Sequence, residues 1–155
     1  MDRIAVIRLK GQVGVPYNVK RTLELLKLER INQAIVTKKS PEILGMLRKA
    51  STHLTWGEID ENTMKRLLVK RGNVKGNNKI SDDNIGKYSV FKNLDDYLKA
   101  FFSYKAELRD IKTLKVPFRL TPPKKGHEGI KRFYTQGGAM GYRGENINDL
   151  LLRMI

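Results

Sequence analysis

Residues 4–9, Ile4-Ala5-Val6-Ile7-Arg8-Leu9, run directly into Lys10-Gly11-Gln12-Val13-Gly14-Val15-Pro16. The first six are short, apolar and rich in β-branched side chains, which predicts a mostly buried strand. Two glycines and a proline then force a loop. Asn18 stands where it can cap a helix whose Val19, Leu23 and Leu26 recur at i, i+4 and i+7, with Lys20, Glu24 and Lys27 outside. Residues 33–37 read as a second strand. Ser40-Pro41-Glu42 starts a second helix with a hydroxyl cap, a proline at the first helical position and an acid in the first turn; Ile43, Leu47 and Ala50 form its buried stripe. Residues 53–59 alternate as a third strand, with Leu54 and Trp56 on one face and Thr55, Gly57 and Ile59 on the other. The pattern is β-α-β-α-β, one small sheet covered by two helices in the α+β class. Periodicity alone leaves parallel and antiparallel pairing both open.

Beyond this core (residues 1–59) the chain reads as an appendage. A helical extension is expected over 60–116. Met64, Leu67 and Leu68 mark a helix ending at Arg71-Gly72, with glycine in the usual position just past the end. Residues 73–79 are polar and glycine-bearing, hence an exposed, mobile loop. Ser81 caps a short turn, and Asn93 caps a helix carrying Leu94, Leu98 and Phe101. Residues 117–155 form an extended basic and aromatic segment, closed by a helix over 145–153.

The 155 residues carry 31 Lys plus Arg against 16 Asp plus Glu, a net charge of +15. The excess is spread over the chain, +6 in residues 1–59, +5 in 60–115 and +4 in 116–155. A folded body this basic repels itself unless a polyanion neutralises it, and nucleic acid is the expected partner. An anionic membrane surface calls for an amphipathic helix with a strong basic face, and none is evident. Nor does any run approach the ~20 apolar residues that span a bilayer. Met1-Asp2-Arg3-Ile4 does not open a signal sequence, so the expected compartment is the cytoplasm. With no cysteine, thiolate nucleophiles, disulfides and Cys-based zinc sites are excluded.

The pairs Asp82-Asp83 and Asp95-Asp96 invite a metal-dependent nuclease reading. Each follows a capping residue, where the helix dipole favours acids, and that accounts for them structurally. His53 and His127 have neither HExxH spacing nor a third ligand nearby; no metal or cofactor is expected. Gly137, Gly138, Gly141 and Gly144 lack the strand-to-helix context of a nucleotide loop and read as backbone that turns tightly or approaches another surface. The stretch 118–143 says more. Arg119, Lys124, Lys125, Lys131, Arg132 and Arg143 alternate with Phe118, Phe133, Tyr134 and Tyr142, with His127 in a basic loop. Such a segment can follow an RNA groove, cations on phosphates and rings on unstacked bases, and is expected to be disordered without a partner. The second candidate is the loop 10–17, with Lys10, Gln12 and Tyr17, continuing to Lys20 and Arg21. Its glycines admit phosphate to the backbone and the following helix offers a positive N-terminus; a plain strand-to-helix connection competes evenly. Arg8 at the strand end and Lys49 at the end of the second helix complete the expected RNA contacts.

These residues carry a resemblance. The strand ending at Arg8, then Gly14-x-Pro16, Arg21-Thr22-Leu23, Ser40-Pro41 and Gly45-Met46 are similar to the ribosomal protein family called L-thirty, whose eukaryotic counterpart is called L-seven. Thr55-Trp56-Gly57-Glu58, Lys70-Arg71-Gly72, Phe118-Arg119-Leu120, Pro122-Pro123, and Gly137-Gly138 with Gly141-Tyr142-Arg143-Gly144 resemble its archaeal members, over essentially the whole chain. The resemblance implies a ferredoxin-like core whose three-stranded antiparallel sheet has strand one in the middle. It also implies no catalysis and a structural role in the large ribosomal subunit, against 23S-type rRNA and neighbouring ribosomal proteins. Whether 5S rRNA is touched is left open. The chain departs from the family pattern at Val15, where bacterial relatives carry a polar or basic residue, and at Met140, where archaeal relatives often carry an aromatic. A free-standing RNA-binding or annealing module is the alternative function.

Overall fold

The computed structural model describes residues 3–76, 78–81 and 84–155. Strand β1 (Arg3–Arg8) is central, antiparallel to β2 (Gln33–Lys38) on one side and to β3 (Leu54–Glu58) on the other. Ile4 lies opposite Thr37 and Glu58, and Ile7 opposite Ala34 and Thr55. The sheet has five strands rather than three: with β4 (Phe118–Arg119) and β5 (Gly141–Tyr142) the order is β4-β2-β1-β3-β5. Strand β4 joins β2 antiparallel, and β5 joins β3 in parallel. Both added strands come from the stretch expected to be extended and unheld. Two residues are too few to leave an alternating pattern in sequence.

Every residue of β1 is buried, because both faces of the sheet are covered. Helices α1 (Tyr17–Leu25) and α2 (Pro41–Lys49) place Leu23 and Leu47 against Ile4, Val6, Ile35, Leu54 and Trp56. On the opposite face Ala5, Ile7, Ala34 and Val36 meet α3 (Glu61–Arg71), α5 (Leu94–Phe102) and α6 (Ile147–Met154), with the short α4 (Ile85–Tyr88) alongside. Full burial of one Ile, Val or Leu is worth about 1.5–3 kcal/mol. Residues after 60 therefore do not hang from the core; they complete it.

Several local expectations are corrected. Helix α1 begins at Tyr17 with Pro16 in the capping place, so Asn18 sits inside the first turn, where its carbonyl accepts from the Thr22 hydroxyl. Ser40 does cap α2, its Oγ accepting from the Ile43 N–H at 3.3 Å. Gly72 ends α3 with a negative φ of −71°; glycine is needed there because a Cβ would lie 2.3 Å from the Leu68 carbonyl oxygen. Lys75, Gly76, Asn78 and Lys79 are exposed as expected, but the ends of this stretch are paired. Asn73 bridges Lys79, the Val74 N–H donates to the Asn78 carbonyl, and Val74 is fully buried. The Asn93 side chain makes no capping bond, although Asp95 and Asp96 do occupy the first turn of α5. Asp82 and Asp83 lie outside the described residues. The final helix starts at Ile147, after a single 3₁₀ turn over Gly144–Asn146.

Candidate nucleic-acid interface

The end of the sheet where β1 finishes gathers segments far apart in sequence. The Leu9 N–H donates to the His53 carbonyl, Asn32 N–H to the Arg8 carbonyl, and Leu120 N–H to the Asn32 carbonyl. Leu9 itself is packed against Ala139, Met140 and Phe133. The 10–17 loop and the 118–143 segment, two separate candidates in sequence, thus meet at the same end of the sheet.

The segment 118–143 is held by the chain itself, contrary to the expectation of disorder. Thr121 and Lys124 donate their N–H groups to the Met154 and Arg153 carbonyls. Tyr134 N–H donates to Met140, and Met140 N–H to Arg132, closing a compact turn. Gly138 makes the turn possible, since a Cβ there would lie 2.1 Å from the Arg132 carbonyl oxygen. Gly137 and Gly141 adopt positive φ. The glycine string serves backbone turning and close approach.

Two of the expected contacts are structural instead. Arg8 is 2% exposed, and its guanidinium donates to the carbonyls of Lys10, Gly11, Leu28 and Glu29 at 2.6–3.0 Å. It pins the loop to the strand end and has no face for a phosphate. Arg143 is 4% exposed, donating from Nε to Thr55 Oγ1 and from Nη2 to the Ala139 carbonyl, with Glu128 at 3.7 Å. Burial pushes the pKa of both guanidinium groups down from the ordinary arginine value. Nothing in the alternation of charged and aromatic residues separates a buried arginine from an exposed one.

The others divide by position. Gln12, Tyr17, Lys20, Arg21, Lys49, Arg119, Lys124, Lys125, Lys131 and Arg132 are exposed, and Lys10 is half-buried. Gln12 donates to the Glu29 carbonyl, and Arg21 pairs loosely with Glu24. Tyr134 is half-buried, with the Arg143 guanidinium 4.6 Å from its ring centroid, so one of its faces is taken. Tyr142 points elsewhere: its hydroxyl donates to the Glu58 carboxylate, on the side where Lys39 also binds. Met140 is 4% exposed and fills the cluster around Leu9. Val15 packs against the core below α1.

Charge is distributed unevenly along the sheet axis. At the start of β1, Glu58 pairs with Lys39, while Glu107 pairs with Lys38 and Arg3. Burial would raise both carboxyls, but these cations, with Tyr142 on Glu58, outweigh it and hold them below the ordinary range. At the other end Lys10, Lys49, Arg119, Lys124, Lys131 and Arg132 form no ion pair among the described residues. His53 and His127 are pushed below the ordinary histidine value, first by burial, then by Lys10 and Arg8 in one case and Arg143 and Arg153 in the other. Arg71 and Lys115 also reach this end, beside Arg119. In sequence both fall within the helical extension 60–116; the Lys70-Arg71-Gly72 motif marks Arg71, and nothing marks Lys115.

Fold and site together define a class: a basic α+β scaffold that concentrates uncompensated cations at one end of a doubly covered sheet. Residues 4–53 match the family described as "Ribosomal protein L30p/L7e". Over 150 residues the chain is 43% identical to the "Large ribosomal subunit protein uL30" of Methanobrevibacter smithii, covering 97% of this chain and 98% of that protein. It is 42% identical to the protein of the same name from Methanopyrus kandleri, over 95% of this chain and all of that one. It is also 42% identical to that of Nanoarchaeum equitans, over the full length of both. The chain belongs to the uL30 family, and it is not an enzyme.

Proposed function

We propose that the chain is a structural constituent of the large ribosomal subunit in the cytoplasm, where its basic sheet end lies against 23S-type rRNA beside neighbouring ribosomal proteins. In this reading residues 1–59 are a ferredoxin-like core, 60–116 brace its second face, and 117–155 carry much of the RNA-facing edge. The single observation behind it is that Lys10, Arg119 and the 131–132 turn, none of them ion-paired among the described residues, all lie at the sheet end where β1 finishes, Arg119 on the β4 side and 131–132 on the β5 side. Each phosphate such cations neutralise releases condensed counterions, so this edge would supply affinity and the scaffold would supply register. Exposed Tyr17 and the half-open face of Tyr134 are suited to stack on unpaired bases.

The test is to purify large subunits, wash them in moderate salt and quantify the chain. About one copy per subunit, retained through the wash, supports the proposal. A chain found free or on other RNAs, and absent from washed subunits, would make it a free-standing RNA-binding or annealing module instead.

A further inference from the structure

Between β4 and the end of α3 lies a notch of about 200 Å³, lined by Gln33, Arg71, Asn73, Lys115 and Arg119, with Val116 and Pro117 as its apolar wall. Three separate segments supply its donors, and their backbones are tied together. Gln33 pairs with Arg119 across β2 and β4, and the Lys115 N–H donates to the Asn73 carbonyl at 2.8 Å. Among the described residues no carboxylate side chain lines it.

Arg71 is the fixed element. Its Nη2 donates to the backbone oxygen of Ile155 at 2.8 Å and to Thr121 Oγ1 at 3.1 Å, which locks the guanidinium plane. Its Nε is buried and has no acceptor among the described residues. A buried charged donor left without a partner is unfavourable. The Gln33 Oε1 accepts from the Arg30 N–H, which fixes that amide and leaves its NH₂ as a donor. Lys115 and Arg119 are exposed and can swing over the opening. The volume matches roughly six or seven waters at ~30 Å³ each, room for one phosphate group. Guanidinium forks with a lysine ammonium are suited to a phosphate's tetrahedral oxygens.

We propose that this notch seats one phosphate group, carried by the RNA backbone. The assignment rests on the RNA contact proposed above and adds a specific seat for it, contiguous with the cationic edge through Gln33 and Arg119.

Two measurements on the full chain test it. In the first, inorganic phosphate is titrated at constant ionic strength, with chloride as control, while the side-chain ¹H–¹⁵N signals of Arg71, Gln33 and Asn73 are followed. A saturable shift that is weakened in Lys115→Gln/Arg119→Gln supports the notch. No saturable shift beyond the chloride control overturns it. In the second, the same double variant binds an rRNA fragment at 50 and 200 mM salt. Losing one phosphate contact removes about 0.7–0.9 from the log–log slope. The affinity advantage of the unaltered chain should therefore shrink about threefold over that range. An unchanged slope alongside a saturable phosphate shift overturns the RNA backbone as the source and leaves a site for a free oxyanion. If the unaltered chain fails to bind the fragment while the phosphate shift persists, the proposed function fails and the notch stands. Both substituted side chains are exposed, so the melting temperature should hold.

Discussion

Arg8→Met separates an arginine that builds the interface from one that touches RNA. The carbonyls of Lys10, Gly11 and Leu28 would lose the guanidinium together, while that of Glu29 would keep its donor in Gln12. Hydrogen bonds to a charged group contribute about 1.5–3 kcal/mol each. Gly11 and Glu29 lie in exposed backbone that water can reach after the change, whereas Leu28 is fully buried. The net loss is therefore well below the sum, on the order of 3–5 kcal/mol, as for other broken buried charge contacts. For a domain of this length 1 kcal/mol moves the melting temperature about 2–4 °C, so a fall of roughly 6–20 °C is expected. Thermal unfolding by circular dichroism reads it. The salt slope of rRNA binding, measured well below the new melting point, should stay within error of the unaltered chain's. An unchanged melting temperature with a slope reduced by about 0.7–0.9 would refute the reasoning and return Arg8 to the RNA contacts.

Arg21→Gln and Arg132→Gln should behave oppositely, each lowering the salt slope by about 0.7–0.9 while the melting temperature moves little, since the Arg21–Glu24 pair is exposed and weak. Gly57→Ala should destabilise by about 3 kcal/mol or more, because its Cβ would lie 1.9 Å from the Gly144 carbonyl oxygen; denaturant unfolding measures it, and a loss under 1 kcal/mol would contradict the packing of β3 against that turn. His53 and His127 have folded values below the ordinary ~6.5, so from there downward the unfolded chain holds more protons and stability falls as pH falls. Glu58 and Glu107, also depressed, add stability that is complete above the ordinary carboxylate value of about 4.3 and lost as pH drops through their lower folded values. Urea unfolding at pH 7.5, 5.5 and 4 should show a monotonic decline; a gain between pH 7.5 and 5.5 would contradict the histidine environments.

The core was legible in sequence because its signals are local. The apolar run at 4–9, the Ser40-Pro41 start and the alternation around Trp56 all fall where β1, α2 and β3 are found. Strand one lies in the middle and pairs antiparallel, as the family resemblance implies. The edge strands were not legible, since Phe118–Arg119 and Gly141–Tyr142 are defined by what they pair with and not by any period of their own. The same limit applies to the interface. Lysines and arginines at 119–132 could be named from composition, but the burial of Arg8 and Arg143 depends on contacts as distant as Arg143 with Thr55. Arg71 and Lys115 join that edge only through tertiary pairing.

The central claim is that cations gathered at one sheet end bind RNA phosphates, and its most direct measurement is the affinity of the purified chain for a 23S-type rRNA fragment across 50–200 mM salt. About eight phosphate contacts predict a log–log slope of roughly −6 to −7, close to four decades of affinity over that range. A flat response, or no binding at the lowest salt, would contradict it.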